Sequence, residues 1–179
     1  MPRYVPIAAL ALAGCLATGQ SAARDLLVDA YLGAGVMPWA YDGAGENEEA
    51  LGGRLIGGVM FTDYLGVEAH FGWLGEADSA SGRSVELDSV DSVLVRLNRP
   101  LTPAVDAYAL VGYTSVRMVI QPGAASDNDE APSASGVSVG LGAQIRVAPD
   151  LSLGLDAMSY ASEPDFDFQA LAATLRWHF

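Results

Sequence analysis

At 179 residues, with 51% hydrophobic residues and a formal net charge of −13, the chain is long enough for one domain and too short for two comfortable ones. Past its opening stretch no apolar run is long enough to cross a bilayer as a helix, so a helical membrane protein is excluded. With 22 carboxylates against nine basic residues, all of them arginine, the surface repels phosphate backbones, and no nucleic-acid partner is expected.

The chain opens with Arg3, an apolar run from Val5 to Ala17, and then Ser21-Ala22-Ala23. A positive start, a short apolar core and small residues before a cut predict a secretory signal peptide over 1–23, cleaved after Ala23, with a single domain over 24–179. A second reading stays open: Leu12-Ala13-Gly14-Cys15 has the form of a lipobox, which would make Cys15 a lipidation site. Either route takes the chain out of the cytoplasm. Cys15 is the only cysteine, so the exported domain has no disulfide and no thiolate metal site; no metal or cofactor is expected.

From residue 25 onward the hydrophobic period is two. Leu26, Val28, Ala30, Leu32, Ala34 and Val36 alternate with Asp29, Tyr31, Gly33 and Gly35. Leu65, Val67, Ala69, Phe71 and Trp73 alternate with Glu68, His70 and Gly72. The cleanest case runs from Val137 to Val147, with Ser138, Gly140, Gly142, Gln144 and Arg146 between the apolar positions. A strand turns successive side chains to opposite faces, so each segment has one apolar face and one polar or tiny face. The pattern predicts eight strands, near 26–37, 52–62, 65–75, 85–98, 105–120, 136–148, 151–160 and 168–179. The connections at 62–64, 99–103 and 148–150 are short; those at 38–51, 76–84, 121–135 and 160–167 are longer, and mostly polar and acidic.

Short turns at one rim and longer loops at the other are the mark of a transmembrane barrel. A water-soluble barrel would turn its apolar face inward, and parity alone does not separate the two. The charges do. Asp29, Arg54, Glu68, Arg96, Arg146, Asp156 and Arg176 all fall on the polar face, and the other face is almost free of charge in the strand centres. Charges can pair inside an eight-stranded barrel, whose interior side chains nearly fill. The expected fold is therefore all-β: an eight-stranded, antiparallel, up-and-down transmembrane β-barrel with its apolar band against lipid.

Over essentially the whole exported chain the sequence resembles the OmpA/OmpX-type outer-membrane β-barrel superfamily. The resemblance is carried by Asp29-Ala30-Tyr31-Leu32-Gly33-Ala34-Gly35, by Phe61-Thr62-Asp63-Tyr64-Leu65-Gly66-Val67-Glu68 and by Asp106-Ala107-Tyr108-Ala109-Leu110-Val111-Gly112-Tyr113. It is carried most by the tail, where Leu171, Ala173, Leu175, Trp177 and Phe179 share one face and resemble the signal read by the barrel assembly machinery. The resemblance implies a bacterial outer-membrane location, lipid and lipopolysaccharide around the band, and the assembly machinery as a partner during biogenesis. A monomer is expected. The role it implies is structural or surface-interacting; a narrow channel and a lipid-modifying enzyme are the alternatives.

Placing odd strands upward and even strands downward from the periplasmic rim predicts three interior ion pairs: Asp29–Arg176, Glu68–Arg96 and Asp156–Arg146. They form either a charged constriction or a structural plug, and the narrow lumen favours the plug. Phe61, Trp177 and Phe179 fall near the lower rim, and Phe71, Trp73 and Tyr113 near the upper part, as interfacial girdles do. A carbohydrate platform of Trp39, Tyr41 and Trp73 is a further reading. Lipid-modifying barrels use His with Ser and a carboxylate, but Phe71-Gly72 follows His70 and the His-x-Ser spacing is absent. His178 falls on the periplasmic side, so no catalytic residue is expected. The loops collect Asp42, Glu46, Glu48 and Glu49, then Asp127, Asp129 and Glu130, then Glu163, Asp165 and Asp167. Without calcium-loop spacing these read as a solvated acidic rim that could meet a surface ligand.

Overall fold

The computed structural model describes residues 29–43, 46–73, 85–120, 133–163 and 166–179. Eight strands close into one antiparallel barrel in chain order: β1 (Asp29–Gly43), β2 (Glu46–Met60), β3 (Leu65–Trp73), β4 (Val85–Pro100), β5 (Val105–Ile120), β6 (Ser133–Ala148), β7 (Leu151–Glu163) and β8 (Phe166–His178). β1 pairs with both β2 and β8, so no edge is left open. Closure is what lets strands cross a bilayer, because every backbone polar group then finds its partner within the wall.

The two faces follow the parity of the sequence. Leu32, Leu55, Val67, Val95, Val111, Leu141, Leu155 and Leu175 are exposed on the outside. Trp73, Tyr113, Trp177 and Phe179 stand outward with them, as girdle residues do. Inside, Tyr31, Glu68, Arg96, Tyr108, Asp156 and Arg176 are buried.

Three short connections mark the periplasmic end. At 61–64 the Thr62 hydroxyl accepts from the Leu65 and Tyr64 amides at 3.0 and 3.2 Å, and at 101–104 Thr102 does the same for Val105 and Ala104. A hydroxyl that caps its own turn makes a tight reversal without a second layer of support.

Strand lengths differ from the sequence expectation at the other end. The stretch 38–51, expected as a loop, is mostly ladder: β1 and β2 stay in register out to Gly43 opposite Glu46. β7 and β8 likewise run into 160–167, with a register shift after Tyr160, to Glu163 opposite Phe166. The acidic composition at 42–49 and 163–167 reports where the strands leave the apolar band, and hairpin pairing continues beyond it. The expected signal segment 1–23, with Ala23 and Cys15, and the expected strand start at 26–28 lie outside the described residues.

Candidate functional site

The lumen is filled in two layers. The layer away from the turns is mainly apolar, built from Met37, Trp39, Val90, Val116, Tyr160 and Phe168 among others, with the hydroxyls of Ser92, Thr114 and Ser138 hydrogen-bonded to one another beside them. The layer nearer the turns holds three arginines and two carboxylates. Arg54, Arg96 and Arg176 are 1%, 1% and 0% exposed, and Glu68 and Asp156 are buried with them.

Glu68 is the first hub. Its Oε2 accepts from Arg96 Nη1 at 2.7 Å and from the Tyr31 hydroxyl, and its Oε1 lies 2.6 Å from His70 Nε2. Arg96 uses its whole fork: Nε donates to Asn98 at 2.8 Å and Nη2 to Gln144 Oε1 at 2.8 Å. Gln144 then passes its own N–H to Asp106 at 2.9 Å. His70 Nδ1 sits 3.2 Å from the Tyr160 hydroxyl, which ties the ionic layer to the apolar one.

Asp156 is the second hub. Arg54 grips it with two bonds, Nη1 to Oδ1 at 2.7 Å and Nη2 to Oδ2 at 2.6 Å, while Nη2 also donates to Thr174 at 2.9 Å. Two parallel bonds between planar groups give the strongest form of this contact. Arg176 lies 3.8 Å from Asp156 Oδ2 and is joined to it through Tyr108, whose hydroxyl accepts from Arg176 Nη2 at 2.8 Å and donates to Asp156 at 3.1 Å. Three guanidiniums against two carboxylates leave a positive excess. The Tyr108 ring takes up part of it, with the Arg96 guanidinium 3.9 Å and the Arg176 guanidinium 5.0 Å from its centroid.

These contacts correct two of the three expected pairs. Asp156 does not meet Arg146: Gly142 faces Asp156 and Arg146 faces Ser152, which sets acid and base four positions apart, about 13 Å along the strand. Arg146 is exposed at the mouth, beside an irregularity in the β6–β7 ladder. Asp29 does not meet Arg176, because Arg176 faces Gly33, again four positions higher. Its imidazole neighbour is His178. Both errors come from counting height from the strand ends, whereas register is set by where each turn closes. Glu68 and Arg96 stand only two positions apart, since Arg96 faces Gly66, and the long side chain spans that offset.

Arg54 carries an inward charge for which the sequence suggested no partner. Its signal lay in the ladder: Arg54 faces Gly35, Gly35 faces Thr174 and Thr174 faces Gly154. A side chain at that height crosses one glycine and one threonine before reaching Gly154 of β7, two positions below Asp156. Gly154 also makes room for Arg176, whose Nη1 occupies the space that a Cβ would take.

The proposed carbohydrate platform fails on geometry. Trp39 is buried in the lumen and Trp73 faces outward, so the two rings lie on opposite sides of the wall. The side chain of Tyr41 lies outside the described ones. So do those of Asp42, Glu46, Glu48, Glu49, Glu163 and Asp167, together with all of Asp127, Asp129, Glu130 and Asp165.

At the periplasmic mouth a cavity of about 400 Å³ is lined by Asp29, Asp63, Asp106, Arg146 and His178 among others. His178 joins Asp29 through Nδ1 at 3.0 Å and Ser152 through Nε2 at 3.0 Å. With Nδ1–H donating to the carboxylate, Nε2 is left to accept the Ser152 hydroxyl, which is the connectivity of a nucleophile relay. The Ser152 side chain does not reach the cavity, however, and the residue is 0% exposed. Sequence reasoning missed this trio because Ser152 and His178 meet only through the β7–β8 register.

The family model for the outer membrane protein beta-barrel domain matches residues 8–179. The chain belongs to this family. Its place is the bacterial outer membrane, and this outer-membrane barrel has an ion-paired, largely plugged interior. Among solved structures, Neisserial surface protein A is similar at 15% identity and a TM-score of 0.68, covering 84% of this chain and 97% of its own. Ail, the attachment invasion locus protein of Yersinia pestis, in complex with the heparin analogue sucrose octasulfate, is similar at 14% identity and a TM-score of 0.64, covering 85% and 99%. OprG from Pseudomonas aeruginosa is similar at 11% identity and a TM-score of 0.58, covering 86% and 97%. At these identities the likeness concerns the fold. No curated protein matches the chain in sequence.

Proposed function

We propose that this outer-membrane barrel is a structural, surface-presenting protein that neither conducts nor catalyses. The observation that carries the reading is the lumen itself. Arg54, Arg96 and Arg176 are locked to Glu68, Asp156, Gln144 and Tyr108 across the barrel, and an apolar layer closes the space above them. An ion entering would have to break charge-assisted bonds in a confined interior, and each such bond is strong.

The test is electrical. Refolded into a planar bilayer, the protein is expected to show no stable ohmic conductance. Steady openings of uniform size would overturn the plugged reading in favour of a narrow channel.

The reading extends to the ends of the chain. Residues 1–23 act as a cleaved signal peptide, and amino-terminal sequencing of the membrane-inserted protein would begin at Arg24. Leu171, Ala173, Leu175, Trp177 and Phe179 act as the assembly signal, so removing Phe179 should reduce insertion in cells. The assembled protein is a monomer. A surface ligand of this chain is cationic or bridged by divalent ions, because a net charge of −13 disfavours a polysulfated ligand such as the heparin analogue in complex with Ail. Catalysis is disfavoured by burial: Ser152 against His178 and the Tyr160 hydroxyl against His70 are both 0% exposed.

A further inference from the structure

The seam between β1 and β8 is interrupted at one place within the lipid-facing band. The strands pair from Tyr31–His178 to Val36–Ala173 and resume at Trp39–Ala170 in the same register, with Met37 and Pro38 unpaired between them. The cause is chemical. The Phe179 amide donates to the Ala30 carbonyl at 2.9 Å, and in an antiparallel strand every second residue turns its N–H and C=O toward the same neighbour. Counting by twos from Ala30 brings Pro38 to a position that should donate to Leu171, and proline has no N–H to give. On its other side Pro38 keeps its place opposite Leu51 of β2.

Beside this interruption lies a cavity of about 670 Å³, within the roughly 300–1,000 Å³ usual for small-ligand pockets. Its walls come from both sides of the barrel. Leu51, Ala157 and Leu171 belong to the exposed lipid-facing set, whereas Trp39, Met158 and Ala170 are buried inside. The cavity therefore straddles the wall. It lies beside the missing rungs, and its buried lining residues Trp39, Met158 and Ala170 belong to the apolar upper layer of the lumen. One lining residue, Trp39, is 3% exposed and carries a buried indole Nε1 with no hydrogen-bond partner. A buried donor without an acceptor is costly, and an oxygen brought in by a ligand would remove that cost.

We propose that this portal seats one acyl chain of a lipid in the outer leaflet, with the carbonyl or hydroxyl oxygen of the chain accepting from Trp39 Nε1. The position decides the occupant. Pro38 lies toward the end of β1 remote from the short periplasmic turns, and the rim residues Leu51, Ala157 and Leu171 are exposed on the face that a barrel turns to the bilayer. Walls that are apolar apart from Gln169, with one unpartnered donor on Trp39, suit a hydrocarbon chain bearing one oxygen function. The alanines at 157 and 170 leave the width that the chain needs.

The experiment uses Trp39 as its own probe. The chain has three tryptophans, and the double substitution Trp73→Phe, Trp177→Phe leaves Trp39 alone. This protein is refolded into vesicles of phosphatidylcholine brominated on its acyl chains, with unbrominated vesicles as reference. Bromine at the portal is expected to quench Trp39. Two further substitutions, each made in the same background, close the site in different ways: Ala157→Phe fills it, and Pro38→Ala supplies the missing N–H. A drop of about twofold or more in quenching with either substitution supports an acyl chain in the portal. No quenching of Trp39, or equal quenching in the parent and both variants, overturns it. Neither result bears on conductance, so this inference and the plugged reading stand or fall separately.

Discussion

Arg54 on β2 holds Asp156 on β7 across the lumen through two parallel hydrogen bonds of 2.6 and 2.7 Å, with both side chains essentially sealed from solvent. Two strands lie between them on the short way round the barrel, so this contact ties together parts of the wall that share no ladder. A double-mutant cycle on Arg54→Ala and Asp156→Ala, read by urea unfolding in lipid vesicles, is expected to show coupling of about 1–3 kcal/mol. The cycle on Arg146→Ala and Asp156→Ala is expected to show none. Coupling to Arg146 instead would mean that the register of β6 against β7 is wrong.

Tyr108 carries two separable roles. Its hydroxyl bridges Arg176 to Asp156, and its ring faces the guanidiniums of Arg96 and Arg176. Tyr108→Phe should cost about 1–3 kcal/mol, the penalty for leaving a buried charged group short of one partner. Tyr108→Leu should cost more, because the ring contact with the cations goes as well. Equal losses in unfolding free energy would show that the ring contributes nothing beyond the hydroxyl.

Gly154 tests whether the strand glycines serve the network. A Cβ at this position would run into the Arg176 guanidinium, so Gly154→Ala should destabilise the barrel by about 1–3 kcal/mol even though alanine suits a strand better than glycine. Combined with Arg176→Ala, the same substitution should become nearly neutral. Unfolding midpoints of the two single variants and the pair decide the matter, and additive losses would show that Gly154 has a different purpose.

The Ser152–His178–Asp29 trio has relay geometry without an accessible hydroxyl. A fluorophosphonate probe is therefore expected to leave Ser152 unlabelled in the folded barrel. His178→Ala should lower thermal stability, since it removes the contacts to Ser152 and Asp29, and no esterase signal should change. Covalent labelling at Ser152, identified by peptide mass spectrometry, would refute the structural role.

The eight strands, their antiparallel order and the division between lipid face and lumen face were all legible in the residues. Alternation is a local property: each side chain's face follows from its parity, and parity needs no partner strand. The inward burial of Glu68, Arg96, Asp156 and Arg176 followed from the same rule, as did the outward set ending in Trp177 and Phe179.

What only the tertiary structure decided was height. Asp156 found Arg54 and Arg176 in place of Arg146, and Asp29 found His178 in place of Arg176, because partners across a lumen depend on the register of every ladder between them. A shift set by one turn is carried around the closed wall. The same holds for the gap at Pro38. A proline in the sequence is plain to see, but its missing N–H interrupts a ladder only because barrel closure puts that position against β8.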